Sequence, residues 1–90
     1  MTTHADVWDA LAFTPDQAAN LAVRAELLRD LQALVRASGR TQAEAARLCG
    51  LTQPRMNDLL RGRMSRFSLD ALVNIASALG QQVHLRLRAA

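Results

Sequence analysis

Gln53, Arg55 and Asn57 stand at alternate positions in the stretch TQPRMNDLLRG. Each ends in a planar group that can make two hydrogen bonds at once. The Gln and Asn amides match the edge of adenine, and the Arg guanidinium forks onto guanine. One good pairing of this kind discriminates against a wrong base by about 1–3 kcal/mol. Thr52 precedes them, where a hydroxyl can cap a helix and also touch a thymine methyl or a phosphate. Thr41 and Gln42 on one side, and Arg63, Ser65 and Arg66 on the other, are suited to phosphate oxygens. Arg40 and Arg47 are further candidates, and for every arginine here a solvated charged face is the alternative. Asp58 reads as a partner for Arg55 or Arg61 on the same helix face, with a cytosine contact as the second option.

These side chains need a scaffold, and residues 41–62 provide one in TQAEAARLCGLTQPRMNDLLRG. Thr41 can cap a helix that runs through Cys49. Gly50 falls where a chain leaving a helix often turns left-handed. Thr52 caps a second helix, Pro54 lies in its first turn where a missing N–H does little harm, and Gly62 closes it. Ala45 and Ala46 allow close approach, while Cys49, Leu51, Met56 and Leu59 fill the angle between the helices. Two short helices at roughly 90–120° form a helix-turn-helix, whose second helix can enter the major groove. Gln42, at the amino end of the first helix, is placed where exposed amides and the helix dipole favour an anion.

Charge is distributed in the same sense. Residues 1–30 carry Asp6, Asp9, Asp16, Glu26 and Asp30 against Arg24 and Arg29. Residues 31–66 carry Arg36, Arg40, Arg47, Arg55, Arg61, Arg63 and Arg66 against only Glu44 and Asp58. The basic block therefore coincides with the helix-turn-helix, as a duplex-binding surface requires. All 11 basic residues are Arg. That fits phosphate and guanine recognition, and equally fits a GC-rich genome.

The rest of the 90 residues builds a small helical core. Residues 1–13 form an acidic arm with a short helix at 5–12, on which Val7, Trp8, Leu11 and Phe13 are apolar. The arm either docks on the bundle or binds a partner protein. Thr14, Pro15 and Gln17 have the spacing of a capping box. They open a long helix with Leu21, Leu28, Leu31 and Val35 on its inner stripe, widened by Ala25, Leu27 and Leu34, and Gly39 ends it. Ser68 caps a last helix whose face is Leu69, Leu72, Val73, Ile75, Ala76 and Leu79, and Gly80 stops it. The pattern then alternates. Val83, Leu85 and Leu87 point one way, and His84, Arg86 and Arg88 the other, as on a strand. One strand cannot satisfy its own backbone. Pairing with the same strand of a second copy across a two-fold axis is the economical solution. Another protein's sheet edge and a disordered tail are the alternatives.

A chain of this size buries only about 60–65% of its unfolded surface, so dimerisation would help it. The expected fold is thus all-α, about five helices with one short C-terminal β-strand that pairs across a dimer. Its divisions are an arm (1–13), a helix-turn-helix domain (14–80) and a dimerisation strand (81–90). The lone Cys49 permits no internal disulfide and reads as a core residue, with a reactive thiol as the alternative. His84 faces solvent on the strand, and no metal or cofactor site is expected. A Cys–His pair at useful spacing, a Gly-rich phosphate loop and a carboxylate cluster are all missing, so an enzyme is not expected. No apolar run has membrane length and no leader is recognisable, which points to the cytoplasm.

Gln42, Ala46, Gly50, Leu51, Met56, Leu59 and Gly62 stand as in the Cro and lambda-repressor type (XRE-family) helix-turn-helix, which the stretch 41–80 resembles. The wider layout is a VWDAL arm, a long helix, TQAEAARLCGLTQPRMNDLLRGR, FSLDALVNIASALG and a terminal strand. It is similar to the HigA-type antitoxins of type II toxin–antitoxin pairs. That resemblance implies a homodimer that binds and represses its own palindromic operator and neutralises a RelE/HigB-like mRNA interferase toxin. It also implies base reading by Gln53 and a phosphate contact by Gln42, whereas Pro54 departs from the polar residue usual in the family. A free-standing or phage-type repressor is the alternative, and a protein-binding module that uses the helix-turn-helix as scaffold is a third.

Overall fold

The computed structural model describes residues 14–89, and the acidic arm with Val7, Trp8, Leu11 and Phe13 lies outside them. Four α-helices and one short 3₁₀ turn make up the described residues: α1 (Pro15–Ala37), α2 (Gln42–Cys49), α3 (Gln53–Leu60), the turn (Met64–Arg66) and α4 (Leu69–Ala78). The helix expected at 5–12 falls in the undescribed arm, so the count of five is not reached among these residues.

Local chemistry sets each helix start. The Thr14 hydroxyl accepts from the Gln17 N–H, and the Gln17 side chain accepts from the Thr14 N–H, closing the expected box. Thr41 and Glu44 make a second such box on α2. Single caps from Thr52 and Ser68 open α3 and α4. Each arrangement satisfies amides that have no partner within the helix. The α2–α3 turn needs Gly50, whose φ of 68° lies in the left-handed region. There the Leu51 N–H reaches back to Ala46 C=O at 2.8 Å.

Packing follows from the apolar stripe of α1. Leu28, Leu31 and Val35 enter the core, where they meet Ala45 and Ala46 of α2, Met56 and Leu59 of α3, and Leu72, Ile75 and Ala76 of α4. Met56, Leu59 and Leu72 are 0% exposed. Helix α4 lies along α1, while α2 and α3 pack on one another. Phe67 is also buried, although it follows the 3₁₀ turn in an irregular segment. Two expected core positions stay on the surface: Leu34 and Val73 are exposed. They lie at the margins of stripes whose central residues already fill the contact.

Residues 81–89 form no strand, which corrects the strand expected there. Among the described residues no second strand edge exists for their N–H and C=O groups to join. Of the three residues expected to build a dimer ribbon, Val83 packs against the core while Leu85 and Leu87 are 70% and 101% exposed. The segment passes beside α1, where it and Val23, Leu27 and Leu34 line a shallow cleft.

Candidate nucleic-acid interface

The N-terminus of α3 is the exposed end of the helix-turn-helix. Gln53, its first residue, is exposed, and its side chain makes no hydrogen bond to the described residues. Its backbone carbonyl accepts from Gln42 Nε2 at 3.1 Å, which ties the amino ends of α2 and α3 together. Gln42 was expected on phosphate. Here its amide serves as the bridge, and the side chain stays exposed beside the α2 N-terminus. Thr52 accepts from the Arg55 N–H at 3.3 Å, so its hydroxyl works as the cap. Thr41 is committed in the same way to α2.

Arg55 does not project freely. Its guanidinium lies 4.5 Å from the centroid of the Phe67 ring, a cation–π stack on a buried aromatic. Asn57 is half-buried one turn after Gln53. Of the three planar groups at alternate positions, Gln53 is therefore the one presented openly. Arg55 and Asn57 flank it closer to the body of the protein.

The loop after α3 brings Arg63 and Arg66 together through an unexpected partner. Asp58 does not pair with Arg55 or Arg61. Its Oδ1 accepts from Arg63 Nη1 at 2.9 Å, and its Oδ2 from Arg66 Nη1 at 3.4 Å. The reason is the course of the chain. Gly62, at φ 73°, ends the helix and turns the backbone so that residues 63 and 66 come back to the Asp58 side. A Cβ at Gly62 would also come within 3.3 Å of Gln32 Nε2. Ser65 is exposed in the 3₁₀ turn between the two arginines.

One member of the basic block, Arg36, serves another purpose together with the neighbouring Gln32. Arg36 Nη2 donates to Leu60 C=O at 2.7 Å, and Gln32 Nε2 donates to Leu59 C=O at 2.9 Å and to Leu60 C=O at 3.2 Å. These side chains of α1 satisfy the open carbonyls at the C-terminus of α3, where a positive charge is also favoured. Arg24 similarly donates to Phe67 C=O at 3.1 Å. Gln32, Arg36, Arg24 and Phe67 are the residues that spacing alone did not single out, because their partners lie 24–43 positions away. What remains for an external anion is Arg40, Arg47 and Arg61, all exposed, with the outer faces of Arg63 and Arg66.

Two titratable groups are shifted. Hydrogen bonds from Thr41, first its backbone N–H and then its hydroxyl, hold the Glu44 carboxyl below its usual range, and Arg40 and Arg47 pull the same way. Burial pushes the Cys49 thiol up against a smaller opposing effect of Arg40. A raised thiol forms less thiolate, which fits the packing role rather than the reactive one.

The helix pair is capped at both starts, and it presents an exposed Gln at the start of its second helix and exposed arginines past that helix's end. The model of a helix-turn-helix domain family matches residues 11–88. The chain belongs to that family. None of the curated proteins matches it. In this helix-turn-helix, characteristic of DNA-binding regulators, α3 is the second helix, and Arg61, Arg63 and Arg66 follow its C-terminal end. No described helix is long and apolar enough to cross a membrane.

Proposed function

We propose that this protein is a dimeric, sequence-specific binder of duplex DNA that represses its own operon and acts as the antitoxin of a type II toxin–antitoxin pair. It neutralises a RelE/HigB-like mRNA interferase in the cytoplasm and is not itself an enzyme. The observation that carries the DNA reading is Gln53. It is an exposed amide at the first position of the recognition helix, held there through its own carbonyl by Gln42. Amino-terminal residues of a recognition helix meet base edges, and an amide there pairs with adenine. Thr41 and Gln42 beside that position, and Arg63, Ser65 and Arg66 beyond the C-terminus of the same helix, are the phosphate contacts, and Arg55, Asn57 and Thr52 add base contacts. The two-fold arrangement is supported by residues 82–89, whose backbone groups pair with no other backbone group among the described residues and whose Leu85 and Leu87 are exposed. The toxin partner is supported by the resemblance to HigA-type antitoxins and by the acidic Trp-containing arm.

The test of the DNA reading is selection from a random duplex pool followed by competition among the recovered sequences. Gln53→Ala should erase the preference for the selected site, by about 1–3 kcal/mol at the base it reads, and leave general duplex affinity in place. An unchanged ranking of sites would remove Gln53 from base recognition. The partner is tested by co-expression with the product of the adjacent reading frame. An antitoxin co-purifies with that product and relieves its growth arrest, whereas a free-standing repressor does neither.

A further inference from the structure

Asp58 is the one buried charged residue among those described, with 8% of its surface exposed. It sits on the recognition helix and yet has no base-facing oxygen to spare. One oxygen holds Arg63 at 2.9 Å and the other holds Arg66 at 3.4 Å. The Arg63 N–H also donates to the Asp58 carbonyl at 3.0 Å, so the backbone of the loop is fixed at the same point. The two arginine side chains nevertheless remain 44% and 58% exposed. Each uses one nitrogen on the carboxylate, and its remaining N–H donors make no hydrogen bond among the described residues. A guanidinium has five such donors in a rigid fork, enough to serve a carboxylate and a phosphate together.

We propose that Asp58 is a positioning residue for DNA, which holds Arg63 and Arg66 as a two-pronged grip on the phosphates beside the groove that α3 enters. The role rests on the duplex-binding reading above. A free arginine on a loop loses its side-chain freedom when it meets a phosphate, and one already tethered lost that freedom on folding. The carboxylate also cancels one of the two positive charges, so the grip adds geometry more than bulk charge. That makes the sign of its removal informative.

Asp58→Asn keeps the shape and raises the net positive charge by one. Simple screening then predicts tighter binding to any duplex. Loss of positioning predicts the reverse. The experiment is a fluorescence anisotropy titration of a mixed-sequence duplex at several salt concentrations. Proteins are the wild type, Asp58→Asn, Asp58→Glu, the double variant Arg63→Ala/Arg66→Ala, and the triple variant that adds Asp58→Asn. Asp58→Asn should bind about tenfold more weakly, a coupling in the range seen for contacting residues, with its salt slope retained. The triple variant should bind no more weakly than the double. Asp58→Glu, which moves the carboxylate without changing charge, should weaken binding as well and stands in if Asp58→Asn does not fold. Circular dichroism melts confirm folding, since a purely structural residue would lower the melting temperature and leave the affinity of folded protein alone. If the wild type binds the duplex and both Asp58 variants bind as well or better, the positioning role fails alone. If the wild type does not bind duplex at all, the DNA reading fails first.

Discussion

Residues 41–62 and residues 81–89 carry equally clear patterns and end up in very different states. In the first, each signal has its complement a few positions away. Thr41 caps toward Glu44, Gly50 turns the chain, and Thr52 caps toward Arg55. The amides at both helix starts are capped inside the segment, and Ala45, Ala46, Met56 and Leu59 close the core. In the second, the period-two alternation sorts side chains onto two faces but names no partner. A helix carries its hydrogen bonds with it, whereas a strand must borrow them. The same clarity of pattern therefore specifies structure in one segment and only an unmet requirement in the other.

That contrast can be broken most strongly in the core. Leu59→Ala removes a side chain with 0% exposure, and urea melts should show a loss of about 2–5 kcal/mol. Leu87→Ala alters a side chain that is 101% exposed in the single chain, and should change stability by less than about 0.5 kcal/mol in dilute protein. Comparable losses would mean that the tail is packed in the working state. A deletion of residues 82–90 sharpens the second half of the comparison. Sedimentation should show a shift toward monomer, with the helical signal of the bundle retained, and a dimer that survives the deletion would place the two-fold contact elsewhere.

The smallest effect concerns the α2 cap. The folded-state value of Glu44 is depressed by the Thr41 hydrogen bonds. Its contribution is therefore complete above the unfolded carboxylate range and disappears as pH falls through the lower folded value. Melting temperatures of the wild type and Glu44→Gln should differ at neutral pH and converge in acid. A gap that stays constant with pH would assign the box to the Thr41 hydroxyl alone.

Much of the fold was legible because its instructions are local. Thr14, Thr41, Thr52 and Ser68 announce helix starts, and the spacing of Leu28, Leu31 and Val35 gives the inner face of α1. The site was legible only in part. Gln53 is exposed as its type and position suggest, but Asp58 finds Arg63 and Arg66 instead of Arg55 or Arg61. Helix periodicity governs contacts at three and four residues, and these partners lie beyond Gly62, after the chain has reversed. Arg55 likewise meets Phe67 across the loop. Arg36 adds to the basic block by its charge, yet its guanidinium serves the Leu60 carbonyl of α3. Charge totals record how many arginines a region has and are silent on which of them are already engaged.

Helix α3 is fastened at both ends, by Gln42 on the Gln53 carbonyl and by Gln32 and Arg36 on the carbonyls of Leu59 and Leu60. An α-helix of eight residues has little rigidity of its own in water. Clasped between two anchors it behaves as a strut whose direction is set before any encounter. Such an element loses few degrees of freedom on docking, and its association rate is limited by diffusion and orientation rather than by a search among shapes.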